Sequence, residues 1–191
     1  APGELELHAE AFFGGAVLEP GERRALHGVT VAGDGTPHEL LVAWADRYGR
    51  AANARTTAPF QVGWCSWYHY FHDVTEQDVK DNLALAADWP FDVYQVDDGY
   101  QRKIGDWLRT ADTFPSGVEQ MASDIGTKGF VPGIWLAPFV ASPHSEVAAD
   151  HPEYFARELH LDRPLMGMYH PQWDGAQWSL DTTRADVQDH L

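Results

Sequence analysis

Residues 91–100 read Phe-Asp-Val-Tyr-Gln-Val-Asp-Asp-Gly-Tyr, a mostly apolar run that ends in two carboxylates and a glycine. This run predicts a strand over Phe91–Val96 that is buried on both faces, as in a parallel sheet. Two further strands are predicted on either side of it, over Phe60–Tyr68 and Phe130–Ala137. Amphipathic helices separate the three strands. Strand and helix therefore alternate from Phe60 onward, which is typical of βαβ units and predicts an α/β fold.

The helices between these strands have recognisable start and stop signals. Asp73-Val74-Thr75-Glu76 predicts the start of the first helix. The spacing of Val118, Met121 and Ile125 predicts the second helix, and Gly129 predicts its end. Weaker patterns further along predict a short helix over His151–Glu158, an element opening at Trp178–Leu180 and a helix starting at Thr183-Arg184-Ala185-Asp186.

The chain before Phe60 has a different texture. Residues 1–35 predict short β segments, over Glu4–Phe13 and Arg24–Val31, between glycine-rich turns. Thr36-Pro37-His38-Glu39 combines a capping residue, a proline and a glutamate, and predicts the start of a helix. Ala51–Pro59 is expected to be a linker.

Composition excludes several classes of protein. The chain has 29 acidic and 13 basic residues and a net charge of −16, which disfavours nucleic acid and anionic membrane surfaces as partners. No apolar run approaches the roughly 18 residues that a spanning helix needs. The N-terminal sequence Ala1-Pro2-Gly3-Glu4 lacks the features of a signal peptide, so we expect a cytoplasmic protein. Eight tryptophans beside many carboxylates favour a site for neutral polyols.

Asp97 and Asp98 give the strongest local signal of function. Adjacent carboxylates at the exit of an apolar strand are costly unless they have partners. One interpretation is hydrogen bonding to vicinal sugar hydroxyls. A metal site is an alternative, although a hard cation needs more oxygen ligands. The structural interpretation is a turn, because Asp-Gly is a common turn dipeptide.

Tryptophans near the predicted strand ends give a second signal. Trp64 and Trp67 lie three apart on the first predicted strand and are expected to face opposite sides, so at most one of them lines a pocket. Trp107 follows the second predicted strand, and Trp135 lies on the third. Each ring alone fits a core position as well as a ligand platform, but the four together favour a binding surface.

Other chemistry has less support. Cys65 predicts a buried small hydrophobic residue, and as the only cysteine it excludes an internal disulfide. Ser66 lacks a Gly-x-Ser-x-Gly context. No Gly-rich phosphate loop follows a strand, so we expect no nucleotide or dinucleotide cofactor. The paired aspartates lack further clustered oxygen ligands and the histidines are scattered, so we expect no metal. Five histidines are candidate general bases or metal ligands: His69, His72, His144, His151 and His170. His69 and His72 lack a supporting third ligand, so loop or surface positions are expected for these two.

Six short motifs in one order resemble glycoside hydrolase family 36, the α-galactosidases, across residues 60–191. The motifs are Gly63-Trp64-Cys65-Ser66-Trp67-Tyr68, Val96-Asp97-Asp98-Gly99-Tyr100, Gly105-Asp106-Trp107, Phe114-Pro115-Ser116-Gly117-Val118, Gly133-Ile134-Trp135-Leu136-Ala137-Pro138 and His151-Pro152-Glu153-Tyr154.

The resemblance implies a (β/α)8 TIM barrel and retaining hydrolysis of terminal α-linked galactose, from oligosaccharides such as raffinose and melibiose, without a metal. It implies that Asp97 and Asp98 bind galactose hydroxyls. It also implies sugar contacts for Trp107, Trp67 and Trp135. Residues 1–35 are similar in type to the end of the β-rich domain that precedes the family's barrel. The expected domains are therefore residues 1–35, residues 36–59 as helix and linker, and residues 60–191 as the N-terminal part of the barrel.

The sequence departs from the family pattern at several points. Ala137-Pro138-Phe139 stands where the family often has Glu-Pro-Glu, and no arginine occurs over residues 169–178. None of the three lysines precedes an aspartate at the spacing of the family's nucleophile motif. A full barrel takes about 250 residues, so we expect the first three to four βα units here. The catalytic nucleophile and acid/base are expected after Leu191, and the 191-residue chain alone is expected to be inactive.

Two other functions are compatible with the same residues. A galactosyl transferase of the raffinose-synthase type shares the tryptophan-rich first strand and the paired aspartates. A noncatalytic carbohydrate-binding module would use the same aspartates and rings, and would fold alone. The oligomeric state stays open, with a homo-oligomer of the full-length enzyme as one option.

Overall fold

The computed structural model describes residues 6–11, 17–26, 28–55 and 57–191. Contacts within the chain divide it into two compact units, Ala1–Ala58 and Pro59–Leu191. The division lies next to the predicted end of the linker at residue 59. Among the described residues, no helix is long and apolar enough to cross a membrane.

In the described residues of the first unit there is one helix, α1, over Pro37–Ala51. The Thr36 side chain accepts the Glu39 N–H, and the Glu39 carboxylate accepts the Thr36 N–H, which is the predicted capping box. The predicted start of this helix is therefore confirmed. Its apolar stripe is largely exposed, with Trp44 stacked on Tyr48 at 5.5 Å between ring centroids.

The short β segments predicted before α1 are wrong where the residues are described. Residues 6–11, 17–26 and 28–35 form no strand. A strand requires a hydrogen-bonded neighbour, and these residues have none within the described part of the chain. The rest of Glu4–Phe13 and one residue of Arg24–Val31 lie outside the described residues. The assignment of residues 1–35 to a β-rich domain stays a prediction.

The second unit is built on a parallel sheet, as the alternation of strands and helices predicted. Its three strands lie in the order β1-β2-β3 and are β1 Gly63–Cys65, β2 Val93–Val96 and β3 Val131–Ile134. Cys65 pairs with Gln95, which in turn pairs with Gly133. Between the strands lie α2 Trp67–Tyr70, a 3-10 turn over Phe71–Asp73, α3 Glu76–Ala86 and α4 Gly117–Thr127. Because all three strands are parallel, their carboxyl ends meet at one edge of the sheet.

All three strands are shorter than predicted, and β2 begins at Val93 rather than at Phe91. The strand expected over Phe60–Tyr68 covers only Gly63–Cys65, and Phe60 is 91% exposed. The Ser66 N–H still bonds to the Gln95 carbonyl, after which the chain turns into α2. Trp67 is therefore helical, and the expectation that it alternates with Trp64 across a strand is wrong. The strand expected over Phe130–Ala137 ends at Ile134.

A second, antiparallel sheet follows β3 and was not predicted. Its strands lie in the order β4-β6-β5 and are β4 Val140–Ala141, β5 Met166–His170 and β6 Gly175–Ser179. Short helical elements surround them: α5 Glu146–Asp150, 3-10 turns over Pro152–Tyr154 and Pro171–Trp173, and α6 Ala185–His190. The helix expected over His151–Glu158 is only the first of these 3-10 turns, whereas the helix predicted near Thr183 is confirmed as α6.

Two apolar cores hold the second unit together. The first lies between the parallel sheet and α3 and α4, where Val79, Leu83 and Ile125 are buried. Tyr94 from β2 belongs to it, stacks on Trp64 at 4.2 Å and donates its hydroxyl to the Val79 carbonyl. Burial raises the pKa of Tyr94 far above its ordinary value. The second core lies beside the antiparallel sheet and contains Ala141, Val147, Ala148, Phe155, Leu180 and Val187.

Candidate functional site

Asp97 directly follows β2 and is buried at the carboxyl edge of the parallel sheet. Its N–H donates to Ser66 Oγ at 2.9 Å, which ties it to the end of β1. Its Oδ2 accepts a hydrogen bond from Gln95 Nε2 at 2.7 Å and one from the Cys65 thiol at 3.3 Å. Burial raises the pKa of the Cys65 thiol, so the thiol keeps the proton that it donates. Cys65 was predicted to be a buried small hydrophobic residue. It is instead half-buried, and its thiol donates to the Asp97 carboxylate.

Asp98 is 2% exposed, and three side chains surround its carboxylate. Gln101 Nε2 donates to Oδ1 at 2.5 Å, and Trp173 Nε1 donates to Oδ2 at 2.7 Å. His72 Nδ1 lies 3.4 Å from the same Oδ2. The Asp98 N–H donates to Asp97 Oδ1 at 2.9 Å, which links the two aspartates.

Each carboxylate therefore has about one acceptor position left. An ionised carboxylate offers roughly four lone-pair sites. Asp97 accepts from Gln95, Cys65 and the Asp98 backbone, and Asp98 has three side-chain neighbours. The protein groups fix the orientation of both carboxylates without saturating them, so each can accept one hydrogen bond from a ligand hydroxyl.

Gly99 is required by the turn that carries the two aspartates. Its φ of +120° is unfavourable for any L side chain. A Cβ there would lie 2.7 Å from the His72 carbonyl oxygen and 2.9 Å from Val74 Cγ1. The Asp-Gly turn considered from the sequence is thus present, and it brings the backbone of Asp98–Gly99 against His72. The turn leaves both carboxylates able to bind a ligand, so the two interpretations of the aspartates are compatible.

Aromatic rings form one continuous series beside Asp98. In order along the series they are Trp67, His72, His170, Trp173, Trp135 and Trp107, and the neighbouring centroids lie 5.2, 6.2, 4.6, 5.5 and 6.0 Å apart. All six rings are half-buried. The series brings together Trp67, Trp107 and Trp135, three of the four tryptophans that the sequence singled out, whereas the fourth, Trp64, packs against the core.

Tyr100 and Asp106 position the far end of this series. Tyr100 is fully buried, and its hydroxyl donates to the Trp135 carbonyl at 3.2 Å. Asp106 precedes Trp107 and accepts the N–H groups of Glu146 at 2.9 Å and Val147 at 3.3 Å, so it caps α5. The aspartate of the Gly-Asp-Trp motif is therefore a structural anchor that holds Trp107 in place.

A cavity of about 210 Å³ lies beside Asp98. Polar and charged side chains make up most of its lining: His72, Gln101, Arg102, Lys103, Trp173 and Asp174. Lys103 and Asp174 form an ion pair across it. Asp97 and the rings of Trp67, Trp107 and Trp135 do not line this cavity.

Sequence reasoning missed the residues that hold Asp98. Trp173 lies 75 residues away along the chain, in a stretch with no predicted element. His72 was expected on a loop or the surface, and this expectation is wrong because its ring is half-buried against Trp67 and Asp98. Gln101 follows the Asp-Asp-Gly turn directly, and this spacing was a signal that could have identified it.

No group of three or more His, Cys, Asp or Glu side chains within the described residues is arranged to hold a metal ion. The two aspartates approach each other, but their other neighbours are donors rather than oxygen ligands. The geometry suits a neutral ligand that donates hydroxyl hydrogen bonds.

Comparison with known proteins identifies the family. The sequence model of the Melibiase family matches residues 50–191. The chain belongs to the Melibiase family. The predicted resemblance to family 36 α-galactosidases is thereby confirmed. Among curated Melibiase relatives, α-galactosidase AgaA of Geobacillus stearothermophilus is 27% identical over 164 residues, which are 82% of this chain and 21% of AgaA.

Solved α-galactosidase structures resemble this Melibiase chain as well. TtGalA from Thermus thermophilus, in complex with p-nitrophenyl α-D-galactopyranoside, has a TM-score of 0.66 and 28% identity. The match covers 75% of this chain and 30% of TtGalA. The crystal structure of AgaA has a TM-score of 0.56 and 25% identity, over 69% of this chain and 18% of AgaA. The chain spans about a fifth of the length of AgaA, its curated relative.

Proposed function

We propose that the full-length protein containing this chain is a retaining α-galactosidase. Its substrates would be oligosaccharides with terminal α-linked galactose, such as raffinose and melibiose. Family membership supports the reaction class, and TtGalA has been solved in complex with stachyose. The observation that carries the proposal is the pair of carboxylates of Asp97 and Asp98 beside the series of aromatic rings. Protein groups fix the orientation of both carboxylates, and each has about one acceptor position left.

The roles of the site residues follow from this arrangement. Asp97 and Asp98 would each accept a hydrogen bond from a galactose hydroxyl at their remaining acceptor positions. Charge-assisted hydrogen bonds of this kind are stronger than neutral ones. Trp67, Trp107 and Trp135 would contact the apolar C–H faces of the sugar.

The barrel assignment belongs to the same proposal. β1, β2 and β3 would be the first three strands of a (β/α)8 barrel, and the β4-β6-β5 sheet would be an excursion before the fourth barrel strand. The likeness to TtGalA supports this assignment. Barrel enzymes carry their active sites at the carboxyl ends of the strands, where Asp97 and Asp98 lie.

The catalytic pair would come from elsewhere in the full-length protein. Retaining hydrolysis requires a nucleophile and an acid/base with carboxyl groups about 5–5.5 Å apart. We assign neither role within residues 1–191, and Asp97 and Asp98 serve binding in this proposal. The 191-residue chain alone would then be inactive.

Turnover of p-nitrophenyl α-D-galactopyranoside by the full-length protein tests the proposal, with the β-anomer as the matched control. Hydrolysis of the α-anomer alone, and release of galactose from raffinose, is the expected result. Transfer of galactose to sucrose in preference to water would instead indicate a transferase. Galactose binding without turnover would indicate a carbohydrate-binding protein.

A further inference from the structure

Trp173 reaches Asp98 from a distant part of the chain. It ends the 3-10 turn Pro171–Trp173, which joins β5 to β6 in the antiparallel sheet. Its indole N–H donates to Asp98 Oδ2 at 2.7 Å, whereas His72 Nδ1 lies 3.4 Å from the same oxygen. The indole is therefore the principal donor to Oδ2.

The backbone of Trp173 is held on both sides. The fully buried Gln177 of β6 donates its amide Nε2 to the Trp173 carbonyl at 2.5 Å. Asp174 adopts a left-handed conformation with φ of +62° and pairs with Lys103, in the loop that follows β2. The turn is thus tied both to its own sheet and to the loop that carries Asp98, and the indole is oriented before any ligand arrives.

The chemistry of an indole suits this position. Its N–H is a donor only, and it carries no charge. It can fix the rotamer of the Asp98 carboxylate without forming an ion pair, so the carboxylate keeps its full negative charge for a sugar hydroxyl. An arginine or lysine there would neutralise that charge. The Trp173 ring also lies 5.5 Å from the Trp135 ring, so the residue joins the carboxylate to the series of aromatic rings.

We propose that Trp173 is a positioning residue, which fixes the Asp98 carboxylate in the orientation that binds galactose. The inference rests on the proposed function for its kinetic consequence, but the hydrogen bond itself can be tested separately. The antiparallel sheet would then contribute to the site, because β5 and β6 flank the turn that carries the indole.

The kinetic test is Trp173→Phe in the full-length protein. Phenylalanine keeps an aromatic ring and removes the N–H. Hydrogen bonds to charged groups are strong, so kcat/KM should fall about tenfold to a hundredfold and the inhibition constant of galactose should rise by a similar factor. The matched control is Trp178→Phe, on β6 of the same sheet, where the ring packs edge-on against Phe155. It should change kcat/KM by less than about twofold.

A double-mutant cycle separates positioning from a structural role. If Trp173 acts through Asp98, Trp173→Phe should add little to the loss of kcat/KM caused by Asp98→Asn. Independent, additive losses would overturn the proposal, as would an unchanged kcat/KM in Trp173→Phe while the unsubstituted protein hydrolyses α-galactosides.

A spectrum distinguishes failure of this proposal from failure of the proposed function. In a ¹H–¹⁵N spectrum of the indole groups, Trp173→Phe deletes one resonance and so identifies it. Asp98→Asn should shift that resonance upfield and leave the Trp178 resonance in place. This holds even for a protein that hydrolyses no α-galactoside, which would refute only the proposed function. A Trp173 resonance that does not respond to Asp98→Asn would overturn the positioning role.

Discussion

Replacement of Gly99 by alanine is the most direct perturbation of the turn that carries the two aspartates. The substitution adds one methyl group and no charge. At this position it forces an L residue into a φ of +120° and places its Cβ 2.7 Å from the His72 carbonyl oxygen. The neighbouring atom is backbone, so it cannot move aside without moving His72.

The expected cost has two parts. Backbone strain at such a φ contributes about 1–3 kcal/mol, and overpacking contributes about 1–3 kcal/mol more. Gly99→Ala should therefore lower the free energy of unfolding by about 2–6 kcal/mol. Gly129→Ala is the matched control, because it has a φ of +90° but nothing within 4 Å of the added Cβ. Its cost should be strain alone, about 1–2 kcal/mol.

Urea denaturation of the full-length protein, followed by tryptophan fluorescence, measures both variants. Gly126→Ala in α4 adds a reference, because its Cβ meets nothing within 4 Å and a helical alanine should be neutral or stabilising. Gly99→Ala should also weaken galactose inhibition, since a shift of His72 disturbs Asp98. A loss of stability no larger than that of Gly129→Ala would refute the steric argument.

Three other predictions follow from the same unit. Asp98→Asn should weaken transition-state binding by about 2–5 kcal/mol. It should also lower the free energy of unfolding by about 1–3 kcal/mol, because the NH2 group of the asparagine must face a donor. Measurements of kcat/KM and of the melting temperature check the two effects, and an unchanged kcat/KM would contradict the binding role. Burial raises the pKa of Glu76, but hydrogen bonds from Lys80 and Ser116 outweigh it and the net pKa is lowered. The ionised Glu76 carboxylate therefore stabilises the fold above the ordinary glutamate pKa of about 4.3, and this stabilisation is lost as pH falls through the lowered value. Glu76→Gln should be less stable than the unsubstituted protein at pH 7 and no less stable at low pH. A difference in urea midpoints that stays constant across pH would contradict this. Exhaustive chelation should leave α-galactosidase activity intact, and a loss restored by Ca²⁺, Mg²⁺ or Zn²⁺ would show a metal requirement.

Local sequence patterns identified the parallel part of the fold. The apolar run before Asp97 and the helical spacing of Val118, Met121 and Ile125 are encoded within a few residues, and the structure has β2 and α4 at those positions. The capping box at Thr36 was equally local. The length of the first strand was overestimated because apolar residues continue past Cys65, whereas the hydrogen bonding to β2 ends with the Ser66 N–H and the chain turns into α2.

The antiparallel sheet could not be predicted from such patterns. β4 has two residues, and β5 contains Gly167 and an irregular register between Met166 and Met168. These strands exist through pairing with β6, a contact between distant parts of the chain that no short window contains. The strands expected before α1 give the opposite result. Their composition suits a strand, but within the described residues they have no neighbouring strand to pair with and form none.

The candidate site divides in the same way. Asp97 and Asp98 were identified because their position after a buried strand is visible in the sequence. Trp173 and His72 were missed because their contact with Asp98 depends on the turn between β5 and β6 and on the 3-10 turn after α2. The remaining acceptor position on each carboxylate depends on counting these donors, and only the structure supplies them.

A crystal structure of the full-length protein with galactose bound tests the central claim most directly. The account predicts sugar hydroxyls within about 3.2 Å of carboxylate oxygens of both Asp97 and Asp98, with the Trp173 indole still bonded to Asp98. Galactose bound elsewhere, with both carboxylates contacting only protein groups, would contradict it.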